Sequence, residues 1–325
     1  MARALVTGGT GFVGGALAME LKRSGYELDA LVRPAGKRAL LESLGARLVP
    51  GDLSDRKALE EAVRHAHVVH HVAAVVRARD PREFERSNVE GTRLLLEVCA
   101  SRPGGAPRVV LVSSLAAAGP SPDGRPLTED DTPHPVTAYG RSKLAQERLA
   151  GEFRDRVPVI VVRPPVVYGP RDTGVLVLFR MAMRGFSPLL VGGTERSCMI
   201  HVDDLAAALR LAGEKGPPGA VYFATDGTDH HTFEMAKAIA KVLGRRTLPL
   251  PAPLVVARAV ARVNRWLTPR DLTPVLDPDK VIDLSQRFWV CSDARARREL
   301  GYSSRWDLQT GLEQTAKWYR DEGWL

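Results

Sequence analysis

The chain predicts an α/β protein: a doubly wound parallel sheet with a smaller α/β lobe at its C-terminal end. Three observations predict it. Short apolar runs alternate with helix-period segments through the first half of the sequence. Those runs are nearly continuous rather than alternating, so both faces of each strand are buried, as in a parallel sheet covered by helices. The first run ends in a glycine-rich turn that opens a helix.

Taken in order, ARALVT (2–7) reads as a strand and residues 11–24 as a helix ending at Gly25. ELDALV (27–32) is the second strand, 37–44 a helix, ARLVP (46–50) a strand and RKALEEAVR (56–64) a helix. VVHHVAA (68–74) is a strand, about 81–100 one long helix, RVVLVSS (108–114) a strand, 138–154 a helix and VPVIVVRPP (157–165) a strand. After about residue 170 the rhythm loosens, with Pro and Gly clustered at GPPG (216–219) and PLPAP (249–253). We expect a nucleotide-binding domain over 1–170, with 197–225 (including MIHVDDLAAAL, 199–209) packing back on it, and a substrate-binding lobe over 171–325.

Composition narrows the function. The 325 residues are 44% hydrophobic, enough for a large core. The sequence has no apolar run of the roughly 20 residues that cross a bilayer. MARALVTGGTGFVGG enters a strand directly, so no signal peptide is expected. Cys99, Cys198 and Cys291 are far apart in sequence and form no CxxC pair, which argues against a disulfide or zinc framework and fits a reducing cytoplasm. The net charge of +8 is scattered among 38 acids without a stacking-aromatic motif, so nucleic acid is not expected as a partner. His70 and His71 are adjacent on a strand and point to opposite faces, so they do not share a metal ion.

TGGTGFVG (7–14) joins the first strand to the first helix. Gly8 allows the tight turn, Gly11 the close approach of a pyrophosphate and Gly14 close packing of helix on sheet, with the helix N-terminus facing the phosphates. Thr10, Phe12 and Val13 complete this Rossmann cradle for a dinucleotide. A site for NAD usually has an acid at the end of the second strand; here Val32 is followed by Arg33, with Lys37 and Arg38 nearby. A guanidinium there suits a 2′-phosphate, so NADP(H) is expected over NAD(H). In GDLSD (51–55), Asp52 is placed to accept from an adenine amino group with the Leu53 backbone beside it, while Ser54 or Asp55 caps the next helix.

Ser114 ends the fifth strand, where open parallel sheets keep their ligand crevice. Tyr139 and Lys143 lie one turn apart on one helix face. A phenol has a pKa near 10, and a neighbouring ammonium lowers it toward useful acid–base chemistry. Tyr139 then exchanges a proton with a carbonyl or hydroxyl, Ser114 holds the same oxygen, and Lys143 poises the tyrosine. Asn88 is read either as support for a nearby backbone or water link or as a packing residue.

TGGTGFVG, GDL, HHVAA, NVEGT, VSS, YGRSK, RPPVVYGPRD and IHVDDL, in this order, resemble the extended short-chain dehydrogenase/reductase family from residue 2 to at least 210. A weaker similarity reaches the C-terminus. The resemblance implies catalytic roles for Ser114, Tyr139 and Lys143. It places Pro164, Val166 and Val167 beside a nicotinamide, and Val72, Ala73 and Ala74 along the ribose and phosphates. It implies a homodimer through helices 81–100 and 138–154. SSLAAAGP (113–120) and SQRFWVCSDARARRELGY (285–302) are similar to the dihydroflavonol reductase and 3β-hydroxysteroid dehydrogenase branch. Together with Val32–Arg33, this implies NADP(H)-dependent reduction of a ketone, or oxidation of a secondary alcohol, on a small, largely apolar molecule. FRMAMRGFSPLLVGGTERSCMIHVDDL (179–205) is similar instead to nucleotide-sugar epimerases and dehydratases, with Arg196 as the diphosphate ligand. An NADP(H)-sensing regulator is a third reading, against which the intact Ser–Tyr–Lys set argues.

PAPLVVARAVARVNRWL (251–267) places Arg258, Arg262 and Arg265 on one helical face, with Val, Ala and Trp266 around the rest. We read it first as a lid over an apolar pocket or a packing element, ahead of a partner interface or membrane contact.

Overall fold

A computed structural model describes residues 1–78, 80–191, 194–267 and 277–325; for 188–191 and 265–267 it describes the backbone alone. Six parallel strands open the chain: β1 (Arg3–Thr7), β2 (Glu27–Val32), β3 (Arg47–Pro50), β4 (Val68–His71), β5 (Arg108–Val112) and β6 (Val159–Arg163). The short β7 (Val166–Tyr168), β8 (Phe186–Val191) and β9 (Arg196–His201) follow, and then β10 (Val221–Phe223), which joins the edge of the main sheet beside β6. The seven-stranded order is β10-β6-β5-β4-β1-β2-β3. The chain reverses its direction of travel between β1 and β4, which leaves a crevice at their C-terminal ends.

The apolar runs divide their side chains between two layers. Ala4 and Val6, Val110 and Val112, and Ile160 and Val162 join one core. The intervening Leu5, Val109, Leu111, Val159 and Val161 join the other. The first layer holds α1 (Phe12–Arg23) and the second α3 (Arg56–Val63), after the short α2 (Ala39–Ser43). The helix expected over 81–100 is broken into α4 (Pro81–Phe84), a π-helical turn (Glu85–Glu90) and α5 (Gly91–Ser101). After α6 (Leu115–Ala118) comes the Tyr–Lys helix α7 (Ala138–Glu152).

The remainder is mixed. Beyond α8 (Leu176–Met183), α9 (Val202–Lys215) packs on α1, so this stretch belongs to the sheet's first layer. The strand β11 (Asp229–His231) pairs with β9 and leads into α10 (Thr232–Val242). Residues 248–253, where prolines cluster, form the edge strand β12 (Leu248–Pro253) against β8, a position where missing N–H groups are tolerated. Then follow α11 (Leu254–Leu267), α12 (Pro278–Leu284), β13 (Phe288–Trp289), α13 (Ala294–Leu300) and α14 (Leu308–Asp321). The lobe has its own core around Tyr168, Phe179, Met199, Ile239, Leu312 and Tyr319. Among the described residues, no helix is long and apolar enough to cross a membrane.

Candidate active site

The crevice is lined first by the glycine turn. Gly8 has φ +74°, and a Cβ there would meet the Ala73 backbone nitrogen at 2.7 Å. A Cβ on Gly14 would collide with the Gly8 carbonyl. The turn after β1 therefore lies directly against the chain leaving β4, and α1 begins without a side-chain cap, its N-cap being Gly11. Val72–Ala74 run as irregular backbone beyond β4. Thr7 Oγ1 accepts from the Ala73 N–H at 3.3 Å, and Asn88 ties down a residue two further on from both sides. Its Oδ1 accepts from Val75 N–H at 2.8 Å and its Nδ2 donates to Val75 O at 2.9 Å. Asn88 is fully buried and sits in the π-helical turn, a device common at functional sites. Gln146 Nε2 donates to Asn88 O at 3.0 Å and links the turn to α7.

Arg33 lies exposed just past β2, close enough to Asp52 for its charge to help hold that carboxyl low. The larger cause is Ser54, whose hydroxyl and N–H both donate to Asp52 Oδ1, at 2.6 and 2.8 Å. Lys37 is exposed in the same loop. Of the two candidate caps for α3, Asp55 is the one that accepts, from Ala58 N–H at 3.0 Å.

The sequence did not single out Arg171 by itself. It is the one non-glycine with positive φ (74°) among the described residues. Its guanidinium rests where a Cβ on Gly15 in the first turn of α1 would be, and Nη1 is buried with no hydrogen-bond partner among the described residues. A cradle closed to any side chain, an uncapped helix start and an unpartnered cation beside it fit a dinucleotide's phosphates.

At the far side of the crevice stand Ser114, Tyr139 and Lys143. Ser114 caps α6: its Oγ accepts from Ala116 N–H at 3.1 Å, which leaves its own O–H free to donate. Tyr139 is half-buried in the first turn of α7, whose N-cap Thr137 accepts from Gly140 N–H at 3.0 Å. Burial pushes its phenol up to about 12; the Ser114 side chain beside it pulls the other way, and Asp283 adds to the rise. This differs from the expected balance, in which Lys143 lowers the phenol. Lys143 is only 2% exposed and donates from Nζ to Val112 O at 2.7 Å, at the end of β5. Burial lowers its ammonium to about 8 against the opposing pull of Glu147. Glu147 is itself held by Arg163 in a buried pair, at 2.9 and 2.5 Å. Pro164, Val166 and Val167 follow β6 on this side.

Another contributor was not legible locally. Asp279, from α12, accepts from Ala138 N–H at 2.8 Å and Tyr139 N–H at 3.4 Å. An element about 140 residues downstream thus satisfies the start of the tyrosine helix. His70 and His71 diverge as expected: His71 bridges Thr7 and Thr92, at 2.8 and 2.9 Å, while His70 faces Gly213 of α9. Cys198 and Cys291, remote in sequence, are neighbours in space, with Cys291 N–H donating to Cys198 Sγ at 3.3 Å. Arg196 pairs with Asp229, donates to Gly124 O at 2.9 Å and lies over Phe288.

The family model described as "NAD dependent epimerase/dehydratase family" matches residues 4–224. The ceramide reductase of Caulobacter vibrioides is 35% identical over 98% of this chain and 95% of its own length. A ketoreductase of Stigmatella aurantiaca acting on a 4-hydroxy-2-methyl-3-oxo-4-farnesyl-3,4-dihydroquinoline-1-oxide is 33% identical over 96% of this chain and 95% of its own. Among solved structures, the UDP-glucose 4-epimerase of Thermus thermophilus complexed with NAD superposes with a TM-score of 0.79. It is 27% identical, covering 98% of this chain and 99% of that one. The chain belongs to the NAD-dependent epimerase/dehydratase family and is an NAD(P)-dependent oxidoreductase of the extended short-chain dehydrogenase/reductase type.

Proposed function

We propose that the protein uses NADP(H) to reduce a ketone, or to oxidise the corresponding secondary alcohol, on a small, largely apolar molecule. The observation that carries this is the pair of full-length relatives named for reducing a ceramide and a farnesyl-bearing ketone, set beside a Ser114–Tyr139–Lys143 crevice. The glycine turn, α1 and Arg171 would hold the diphosphate, Val72–Ala74 the ribose side, and Arg33 with Lys37 the 2′-phosphate. The absence of an acid after Val32 supports NADP(H).

When bound, the nicotinamide exchanges a hydride with the carbonyl carbon. The chain supplies the rest. Ser114 has one lone pair engaged by Ala116 N–H and donates its O–H to the substrate oxygen. Tyr139 carries its proton across the neutral range, because burial opposes the phenolate, and gives it to the developing alkoxide. Lys143, fixed by Val112 O, brings positive charge to the buried site; burial sets the resting phenol, so this charge acts on the phenolate formed in turnover.

The nucleotide-sugar reading needs a cation for a diphosphate, and its candidate, Arg196, is already paired with Asp229 and Gly124. A homodimer through the outer faces of α5 and α7 is part of this proposal. A groove lined by Arg93 of α5 and by Leu144, Ala145 and Arg148 of α7 runs between them.

Tyr139→Phe tests the mechanism. It removes one proton donor, and turnover falls by roughly 10²–10⁴-fold while NADPH binding is kept. Retained turnover takes Tyr139 out of the chemistry. Arg33→Ala tests the cofactor assignment: the NADPH/NADH affinity ratio falls, and an unchanged ratio refutes it.

A further inference from the structure

We propose that α11, with the adjoining β12, docks the enzyme on an anionic phospholipid surface. The helix does not pack as its pattern suggests. It is seated by Leu254, Ala257, Ala261 and Asn264, one face of mainly small residues. Its valines point the other way: Val255 is 73% exposed, Val256 53%, Val260 42% and Val263 53%. With Ala259 they form one continuous apolar strip on the solvent side, at spacings of one, four, five and eight residues. Such a strip does not cover an internal pocket, so the reading as a lid is not kept. Leu248 and Leu250 of β12 are also exposed, and Leu248 sits beside the exposed Phe186 of β8. The side chains of Arg265 and Trp266 lie outside the described residues.

Charge identifies what covers this face. From Met235 to Arg270 the sequence has eight Lys and Arg and no Asp or Glu. Removing these eight from the chain's 46 leaves 38 cations, matched by its 38 acids. The whole excess of +8 is therefore concentrated in the segment that carries the valine strip. Arg258 and Arg262 flank the strip, one turn apart, and Lys241, Arg245 and Arg246 are exposed just before β12. Among the described residues, none of these five is within ion-pair distance of a carboxylate. An apolar strip edged by unpaired basic residues is the pattern of a helix lying in the headgroup region of an anionic membrane. A protein partner with a matching acidic, apolar groove is the lesser candidate, since the strip is convex and flanked by rotamer-rich cations.

The location gives the docking a use. α11 packs on α12, and α12 supplies Asp279 to the N–H groups of Ala138 and Tyr139. One short helix separates the lipid-facing strip from the catalytic tyrosine. A membrane-dissolved ketone would reach the crevice from that side. The inference thus deepens the reading of an apolar substrate, but its test needs no turnover, so the two fail separately.

The test is flotation of the full-length protein with vesicles of phosphatidylcholine alone and of phosphatidylcholine mixed equally with phosphatidylglycerol. The protein floats with the anionic vesicles, less so as salt is raised, and stays behind with phosphatidylcholine. Arg258→Gln with Arg262→Gln weakens partition by roughly 30-fold, from about 1 kcal/mol per basic residue near the surface. Val256→Asp with Val260→Asp abolishes it, and both pairs keep the wild-type circular dichroism and NADPH affinity. Should the aspartate pair fail to fold, the glutamine pair alone carries the comparison. Wild-type protein that stays unbound with anionic vesicles overturns the proposal. So does a fall in solution mass caused by either pair with vesicle binding intact, which would give this face to a second copy.

Discussion

In the proposed mechanism, Lys143 sets the pH behaviour of the site at the scale of single residues. Its ammonium is lowered to about 8 by burial, while the Tyr139 phenol is raised to about 12. As pH rises, Lys143 is the first of the two to lose its proton, and with it the positive charge that the proposed mechanism sets against the phenolate formed in turnover. Ketone reduction is therefore expected to be flat through neutrality and to decline above about pH 8. A kcat/KM profile with NADPH checks this, and a profile that declines only near the ordinary lysine value contradicts it. Part of the candidate site follows the sequence closely: Ser114 lies beside Tyr139, Lys143 follows one turn later on the same helix, and Gly8 and Gly14 stand where no Cβ fits. What each residue touches was not legible. Spacing put Lys143 one turn from Tyr139 but did not show that its Nζ is spent on Val112 O. Arg171 was one letter of a motif, and only its backbone at positive φ and its unpartnered Nη1 mark it as a site residue.

At the scale of elements, β4 carries a pH-dependent cost. His70 and His71 are both buried, and burial lowers each to about 3 from an ordinary 6.5. Between those values the unfolded chain binds protons that the folded chain does not, so stability falls as pH drops below about 6.5. Two such groups give a limiting slope of about 2.7 kcal/mol per pH unit, at about 1.36 kcal/mol each. Melting temperature should drop steeply on acidification from neutral pH, and His70→Leu should reduce that slope by about half. An unchanged slope in the variant contradicts the assignment. Strand positions were read closely because a buried parallel strand must be apolar throughout: ELDALV and β2 coincide at 27–32. The exception inside it, Asp29, is fully buried and held by Arg3 and Arg47, an arrangement that no local pattern announces. The π-helical turn at 85–90 was missed because the phase shift from one inserted residue spans too few apolar positions to be read in a segment of this length. For α11, read first as a lid or a packing element, periodicity gives a helix two faces without saying which is buried. There the smaller face packs and the larger apolar face is left outside.

On the scale of the whole molecule, the strand order follows from the alternation of strands and helices, and the order fixes the crevice between β1 and β4. The lobe is harder to read because it is assembled from distant pieces. β10 and α13 return to the sheet side, while α12 reaches over to the start of α7. Such contacts have no signature within a short window. The family's two chemistries share this scaffold, so the fold does not choose between net reduction and transient oxidation. The most direct measurement is nicotinamide absorbance during incubation with NADPH and a panel of apolar ketones and nucleotide sugars, with products resolved by chromatography and mass. The expected result is stoichiometric loss of NADPH with a ketone and formation of the matching alcohol. A nucleotide sugar isomerised or dehydrated without net change in cofactor would contradict it and would return Arg196 to the diphosphate.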